Sequence, residues 1–179
     1  ARLPGVECHL FDRTRPEQAL TLLDGIASLR ARNVTAEDLA KTDQYRGEAQ
    51  RQELQRSAAS MDEYLASLEI RVHIARNNPG ALRRVTQLIN KTNQFNLTTR
   101  RYTEDEVATA MREGGVYAAR VVDRFGDMGI VGVAIVRGGE LETFLMSCRA
   151  LGRRIEAQIL RHVCQQEGDR DLKAQYRPS

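Results

Sequence analysis

Three apolar runs between Val116 and Cys148 constrain this chain more than any other feature. Val116–Val122, Ile130–Val136 and Leu141–Cys148 have strand length, and the second is especially rich in β-branched residues. Only Arg124–Asp127 and Gly138-Gly139 separate them, and both are turn sequences, so consecutive runs pair as hairpins. A sheet of this kind must be covered, and the flanking segments supply the cover. Glu69–Ile74 alternates Ile70, Val72 and Ile74 with polar residues, which predicts a half-buried strand. Pro79 opens a helix with Leu82, Val85, Leu88 and Ile89 on its inner stripe. Thr103-Glu-Asp-Glu106 is a capping box for a helix through Val107 and Met111 that stops at Gly114-Gly115. A helix over 152–166 with Ile155, Ile159, Leu160 and Val163 inward, and a strand over 172–176, complete the order β-α-α-β-β-β-α-β. The class is α/β, a mixed and mainly antiparallel sheet flanked by helices, over residues 69–179.

Residues 1–68 have another rhythm. Val6–Phe11 could form a lone strand, and everything after it is helical in pattern. Pro16 starts a helix with Ala19, Leu22, Leu23 and Ile26 on one face. Thr35-Ala-Glu-Asp38 opens a long polar helix to Arg56, and Ser60-Met-Asp-Glu63 is a capping box for a third, ending at Leu68. An isolated strand cannot satisfy its own edges, so this half is expected to be the end of a domain that begins before residue 1, followed by linking helices.

Composition excludes several classes of function. Lys+Arg 27 against Asp+Glu 24 gives +3, too small a surplus for a nucleic-acid partner, and with no Trp and 5% aromatics a base-stacking platform is not expected. No run approaches the ~18 uncharged residues of a bilayer helix, and no signal peptide is visible at the start, so a cytoplasmic protein with reduced thiols and no membrane partner is expected. Cys8, Cys148 and Cys164 are too few and too separated for a disulfide framework or a metal site, and His9, His73 and His162 have no ligand spacing. No metal site is predicted.

The junction Ser147-Cys-Arg-Ala-Leu-Gly-Arg-Arg154 is where chemistry is most expected. A strand ends, a turn carries Gly152, and a helix begins, which presents free N–H groups to an anion. Arg149-x-x-Gly152-x-Arg154 resembles the (Gln/Arg)-x-x-Gly-x-(Gly/Ala) signature of GNAT acyltransferases, with Arg154 standing where Gly or Ala is usual. Arg149, Leu151, Gly152, Arg153 and Arg154 are therefore the candidate pantetheine- or phosphate-binding residues. Cys148, at the strand end beside Arg149, is either a thiolate nucleophile or a small buried hydrophobe. The polar run 90–99 contains Asn93, Gln94, Asn96 and Thr98, which either orient a polyhydroxy or acyl substrate or cap their own turns. Asp127, in a hairpin loop, is a candidate acid or base.

Ile89–Tyr102, Asp123–Gly132 and Phe144–Arg153 together resemble the C-terminal part of FkbH-like proteins, which couple a HAD-superfamily phosphatase domain (subclass IIIC) to a GNAT-like domain. The resemblance extends over residues 1–68 as the end of the HAD-like part and its linking helices, and leaves 69–179 as the GNAT-like domain, incomplete at its C-terminus. It implies a glyceryl-S-acyl-carrier-protein synthase of polyketide assembly. Such an enzyme takes the glyceryl group of 1,3-bisphosphoglycerate, a small phosphorylated acyl donor, and loads it onto the phosphopantetheine thiol of an acyl carrier protein. No tightly bound cofactor is implied for this chain. Mg²⁺ is expected only in the HAD domain, whose Asp-x-Asp nucleophile is not in this sequence. Residues 69–179 hold 18 of the basic and 13 of the acidic side chains, a surplus that suits an acidic carrier protein. The competing reading is a GNAT-shaped module that docks the carrier protein while the HAD domain does the chemistry.

Overall fold

The structure is a computed structural model that describes residues 14–15, 18–26, 36–93, 95–168 and 172–175. The expected strand at 6–11 and the helix starts at Pro16 and Thr35 lie outside those residues. The chain divides into two compact units, 1–42 and 43–179. The first contains helix α1 (Gln18–Gly25) and the start of α2 (Ala36–Ser57).

The second unit carries the sheet. It consists of the rest of α2, α3 (Met61–Ser67), β1 (Arg71–Arg76), α4 (Leu82–Lys91), β2 (Phe95–Asn96), α5 (Glu104–Glu113), β3 (Gly115–Asp123), β4 (Gly126–Arg137), β5 (Glu140–Met146), α6 (Ile155–Gln166) and β6 (Lys173–Ala174). The strands form one mixed six-stranded sheet in the order β1-β3-β4-β5-β2. All pairs are antiparallel except β6, which runs parallel to β5 at Glu140 and Leu141. The hairpins fall where the turn sequences put them, and Gly138 and Gly139 both take positive φ (56° and 79°), as a tight two-residue hairpin requires.

Each face of the sheet has its own core. Ile155, Ile159 and Val163 of α6 pack with Tyr117, Ala119, Val131 and Met146 on one face. On the other, Val85, Leu88 and Ile89 of α4 and Val107 and Ala110 of α5 cover Val116, Ala118, Val133, Ile135 and Leu145. The α5 capping box is complete, with Thr103 and Glu106 exchanging hydrogen bonds. At Ser60 the hydroxyl accepts from Glu63 N, whereas the Glu63 carboxylate reaches back to Ala59 N.

Residues 43–68 are bound into this unit. Arg51 of α2 donates two hydrogen bonds to Asp123 at the β3–β4 turn (2.6 and 2.7 Å), and both side chains are buried. Leu68 is fully buried, and its carbonyl accepts from Arg124 N.

Register irregularities in β4 and β5 shape this part of the sheet. The β3–β4 register runs Ala119↔Gly132 and then Arg120↔Ile130, so Val131 is an extra residue in β4, a β-bulge. Its carbonyl accepts the Ser147 N–H at 2.7 Å and fixes the chain where it leaves β5. Beside it a Cβ on Gly132 would meet Ile159 Cδ1 at 2.7 Å, so glycine lets α6 approach the sheet here. Another irregularity is in β5, where Ile135↔Thr143 and Val136↔Leu141 leave Glu142 as the extra residue.

Two elements depart from the sequence-based expectation. The two-residue β2, inside the polar run, was not expected. It pairs along the outer edge of β5, Phe95 with Met146 and Asn96 with Leu145. The last helix starts at Ile155 rather than Gly152, because Gly152 (φ 75°) and Arg154 (φ 56°) are both left-handed and hold the chain in a turn.

Candidate functional site

Cys148 has a free, exposed thiol. It begins a single 3₁₀ turn, Cys148–Ala150, and stands seven residues before α6, so the α6 dipole does not act on it directly as a thiol at that helix start would require. The thiol opens instead onto a cleft of about 470 Å³ between α4 and the end of β5. Leu88 and Met146 form an apolar floor, and Thr92, Asn93 and Ser147 contribute polar groups.

Three cations line the same cleft: Arg84 and Lys91 from α4, and Arg149. Among the described residues none of them lies within ion-pair distance of a carboxylate. Arg84 touches only the Gln87 amide oxygen (3.4 Å), and Arg149 donates to Gln44 (2.7 Å) and, weakly, to Ser147. Burial, and then the positive charge of Arg149, lower the Arg84 pKa from its ordinary value. Two guanidinium groups in one cleft without a counter-charge make an anion-accepting site.

The other candidate residues are distributed around this cleft or away from it. Asn93 lines it, its side-chain oxygen held by Arg101, whose guanidinium also bonds the Ile89 and Thr92 carbonyls at the end of α4. Gln94 lies outside the described residues. Asn96 is buried, donates to Thr92 O, and accepts from Thr98 N and Thr99 N in an Asx turn. Thr98 donates to Glu142 O and lines a different hollow, beside β6. The run is a hydrogen-bonded loop stitched to α4 and β5; Asn90 adds a reciprocal pair of bonds with the Tyr102 backbone.

The turn after Cys148 is mixed in character. Arg153 points inward; its guanidinium meets Arg149 O, Met128 Sδ and the Glu48 carboxylate. Arg154 is exposed and pairs with Asp62 of α3 at 2.8 Å. Leu151 N closes the 3₁₀ turn on Cys148 O, and the exposed Gly152 supplies the bend. None of Leu151, Gly152, Arg153 and Arg154 lines the Cys148 cleft. Asp127 lies on β4, where the Arg120 guanidinium foremost, then Gly129 N, hold its carboxyl below the usual range against the opposing effect of partial burial. It therefore stays ionised at neutral pH.

Arg84, Gln87 and Lys91 were not among the residues expected at the site. Their spacing of three and seven positions, one stripe round from Val85 and Leu88, is a signal the sequence does contain. Among the described residues no three His, Cys, Asp or Glu side chains converge as metal ligands, and no helix is long and apolar enough to cross a membrane. No family model, curated protein or solved structure matches the chain.

Proposed function

We propose that the sheet-bearing unit is a GNAT-like acyltransferase module of FkbH-like type, in which Cys148 carries a glyceryl group from a phosphorylated donor to the thiol of an acyl carrier protein. The observation that carries this reading is an exposed thiol sharing one cleft with three cations that have no carboxylate partner. The element order, with four long antiparallel strands and a final strand parallel to its neighbour, supports the GNAT-like label.

The chemistry is a double acyl exchange. The Cys148 thiolate attacks the acyl carbon of 1,3-bisphosphoglycerate, the acyl C–O bond to phosphate breaks, and phosphate leaves with the electron pair. The carrier thiolate then attacks the new thioester, and Cys148 leaves as thiolate. The second exchange is nearly isoenergetic and needs orientation more than driving force. The cations would hold the anionic donor in the cleft that Cys148 lines, and Asn93, in the same lining, would meet a hydroxyl of the glyceryl group. The remaining 3-phosphate is removed by the HAD domain of such enzymes, whose metal site is not in this sequence.

A second reading has its own support: among the described residues no His, Asp or Glu lines the cleft to act as base, and residues 95–97 occupy the edge of β5. Under it the unit docks the carrier protein without touching the acyl group. Intact-mass measurement of the protein after incubation with the acyl phosphate separates the two. The first requires a mass gain on wild type that Cys148→Ala loses. If the alanine variant charges the carrier protein at the wild-type rate, Cys148 has no covalent role.

A further inference from the structure

The Cys148 cleft gathers three cations with no carboxylate partner among the described residues. Arg51, Arg76, Arg100, Arg120, Arg137, Arg153 and Arg154 of the sheet-bearing unit pair with Asp or Glu, while Arg101 and Arg124 donate to backbone carbonyls. Arg84 and Arg149 do neither, and they line one cleft with the charge of Arg149 felt at Arg84 and Lys91 beside them. Holding like charges together in a partly desolvated place is unfavourable unless an anion completes the arrangement. The forked guanidinium geometry suits the oxygens of a phosphate, and the Gln87 amide beside Arg84 supplies a further polar contact. A volume of about 470 Å³ accommodates a phosphorylated acid of a few carbons.

We infer that Arg84 and Arg149, flanked by Gln87 and Lys91, form a binding subsite for a phosphate monoester dianion, and that it holds the far phosphate of a small acyl donor while the donor's carbonyl end meets Cys148. Phosphate binding stands on the cleft alone; assigning that phosphate to the donor rests on the acyl-transfer reading. Arg84 is then a specificity residue. It recognises the phosphorylated form of the donor, and dephosphorylation belongs after transfer.

The test is calorimetric titration of the 179-residue chain with 3-phosphoglycerate, glycerate and 4′-phosphopantetheine at low salt. The expected result is binding of 3-phosphoglycerate and much weaker binding of glycerate. Arg84→Gln and Arg149→Gln each weaken it about tenfold to a hundredfold, the worth of a charged hydrogen bond. Arg84→Lys recovers part of the loss, and Arg112→Gln, on α5 away from the cleft, changes little. A second measurement needs no variant: bound 3-phosphoglycerate slows alkylation of the Cys148 peptide by neutral iodoacetamide. Absence of both binding and protection, or equal losses in the Arg112 control, overturns the subsite. Binding of phosphopantetheine without 3-phosphoglycerate overturns its assignment to the donor. If 3-phosphoglycerate binds as expected but Cys148 gains no mass, the acyl-transfer reading fails and the subsite stands.

Discussion

Replacing Arg51 with methionine removes one half of a buried ion pair and leaves the other half stranded. The Asp123 side chain is fully buried, and apart from Arg51 its carboxylate accepts only from Phe125 N, at 2.9 Å. Burial alone would lower the Arg51 pKa, but the Asp123 carboxylate, by hydrogen bond and charge, and then Glu48, raise it overall. Breaking such a pair from one side costs about 3–5 kcal/mol, because the abandoned carboxylate must stay charged and unpaired or take up a proton. For a chain of this size that is a fall in Tm of roughly 6–20 °C. Arg51→Met with Asp123→Leu should lose much less than the sum of the single changes, since no charge is left behind. Urea and thermal unfolding followed by circular dichroism measure all of this, with Arg56→Met as control. Arg56 pairs with Glu53 at an exposed position, where a salt bridge is worth at most about 1 kcal/mol. A loss in Arg51→Met no larger than in Arg56→Met, or additive losses in the double variant, would refute the reasoning.

Two further predictions concern titration. Asp127 has a depressed pKa, so its contribution is present above the unfolded value of ~3.9 and disappears as pH falls through the folded value; Asp127→Asn should be less stable than wild type at pH 7 and equal to it near pH 2. Urea midpoints that differ equally at both pH values would refute this. Tyr117 is pushed up to about 12, by burial first and then by its hydrogen bond to Glu167 and that carboxylate's charge. Its folded state holds the proton more tightly, so this contribution is intact below pH ~10 and is lost as pH rises through 12. Of the five tyrosines, the latest to ionise by absorbance should be missing in Tyr117→Phe, and a late transition surviving in that variant would refute the assignment.

The parts of this protein that were legible in its sequence are those specified within one element or one turn. The three central strands follow from β-branched runs and glycine turns, and α5 follows from Thr103 and Glu106. What escaped depends on partners far along the chain. β2 is two residues long, shorter than any periodicity, and exists because the outer edge of β5 is there to pair with. Arg51 and Asp123 are 72 positions apart, and nothing local to either announces the other. The expected anion turn at Leu151–Arg154 has the predicted glycine, but α2 and α3, whose Glu48 and Asp62 draw Arg153 and Arg154 away, carried no sign of that contact. In α4 the apolar stripe of Val85, Leu88 and Ile89 carries the periodic signal, whereas Arg84 and Lys91 on the neighbouring stripe look like any solvated charges until the fold sets them in the lining of the Cys148 cleft.

The piecemeal cover of β5 also bears on how the protein behaves at high concentration. An open strand edge is a template on which a second molecule can extend the sheet, the first step of many aggregation reactions. Here β6 takes one end of that edge in a parallel sense, β2 takes the other in an antiparallel sense, and the Glu142 bulge interrupts the ladder between them. A visiting strand would have to be parallel and antiparallel at once to replace both. At the opposite margin β1 carries Arg71, His73 and Arg76 at exposed positions, polar side chains that a second copy would have to desolvate on pairing there. Two strands of only two residues each thus deny a second molecule the long open ladder that sheet extension needs.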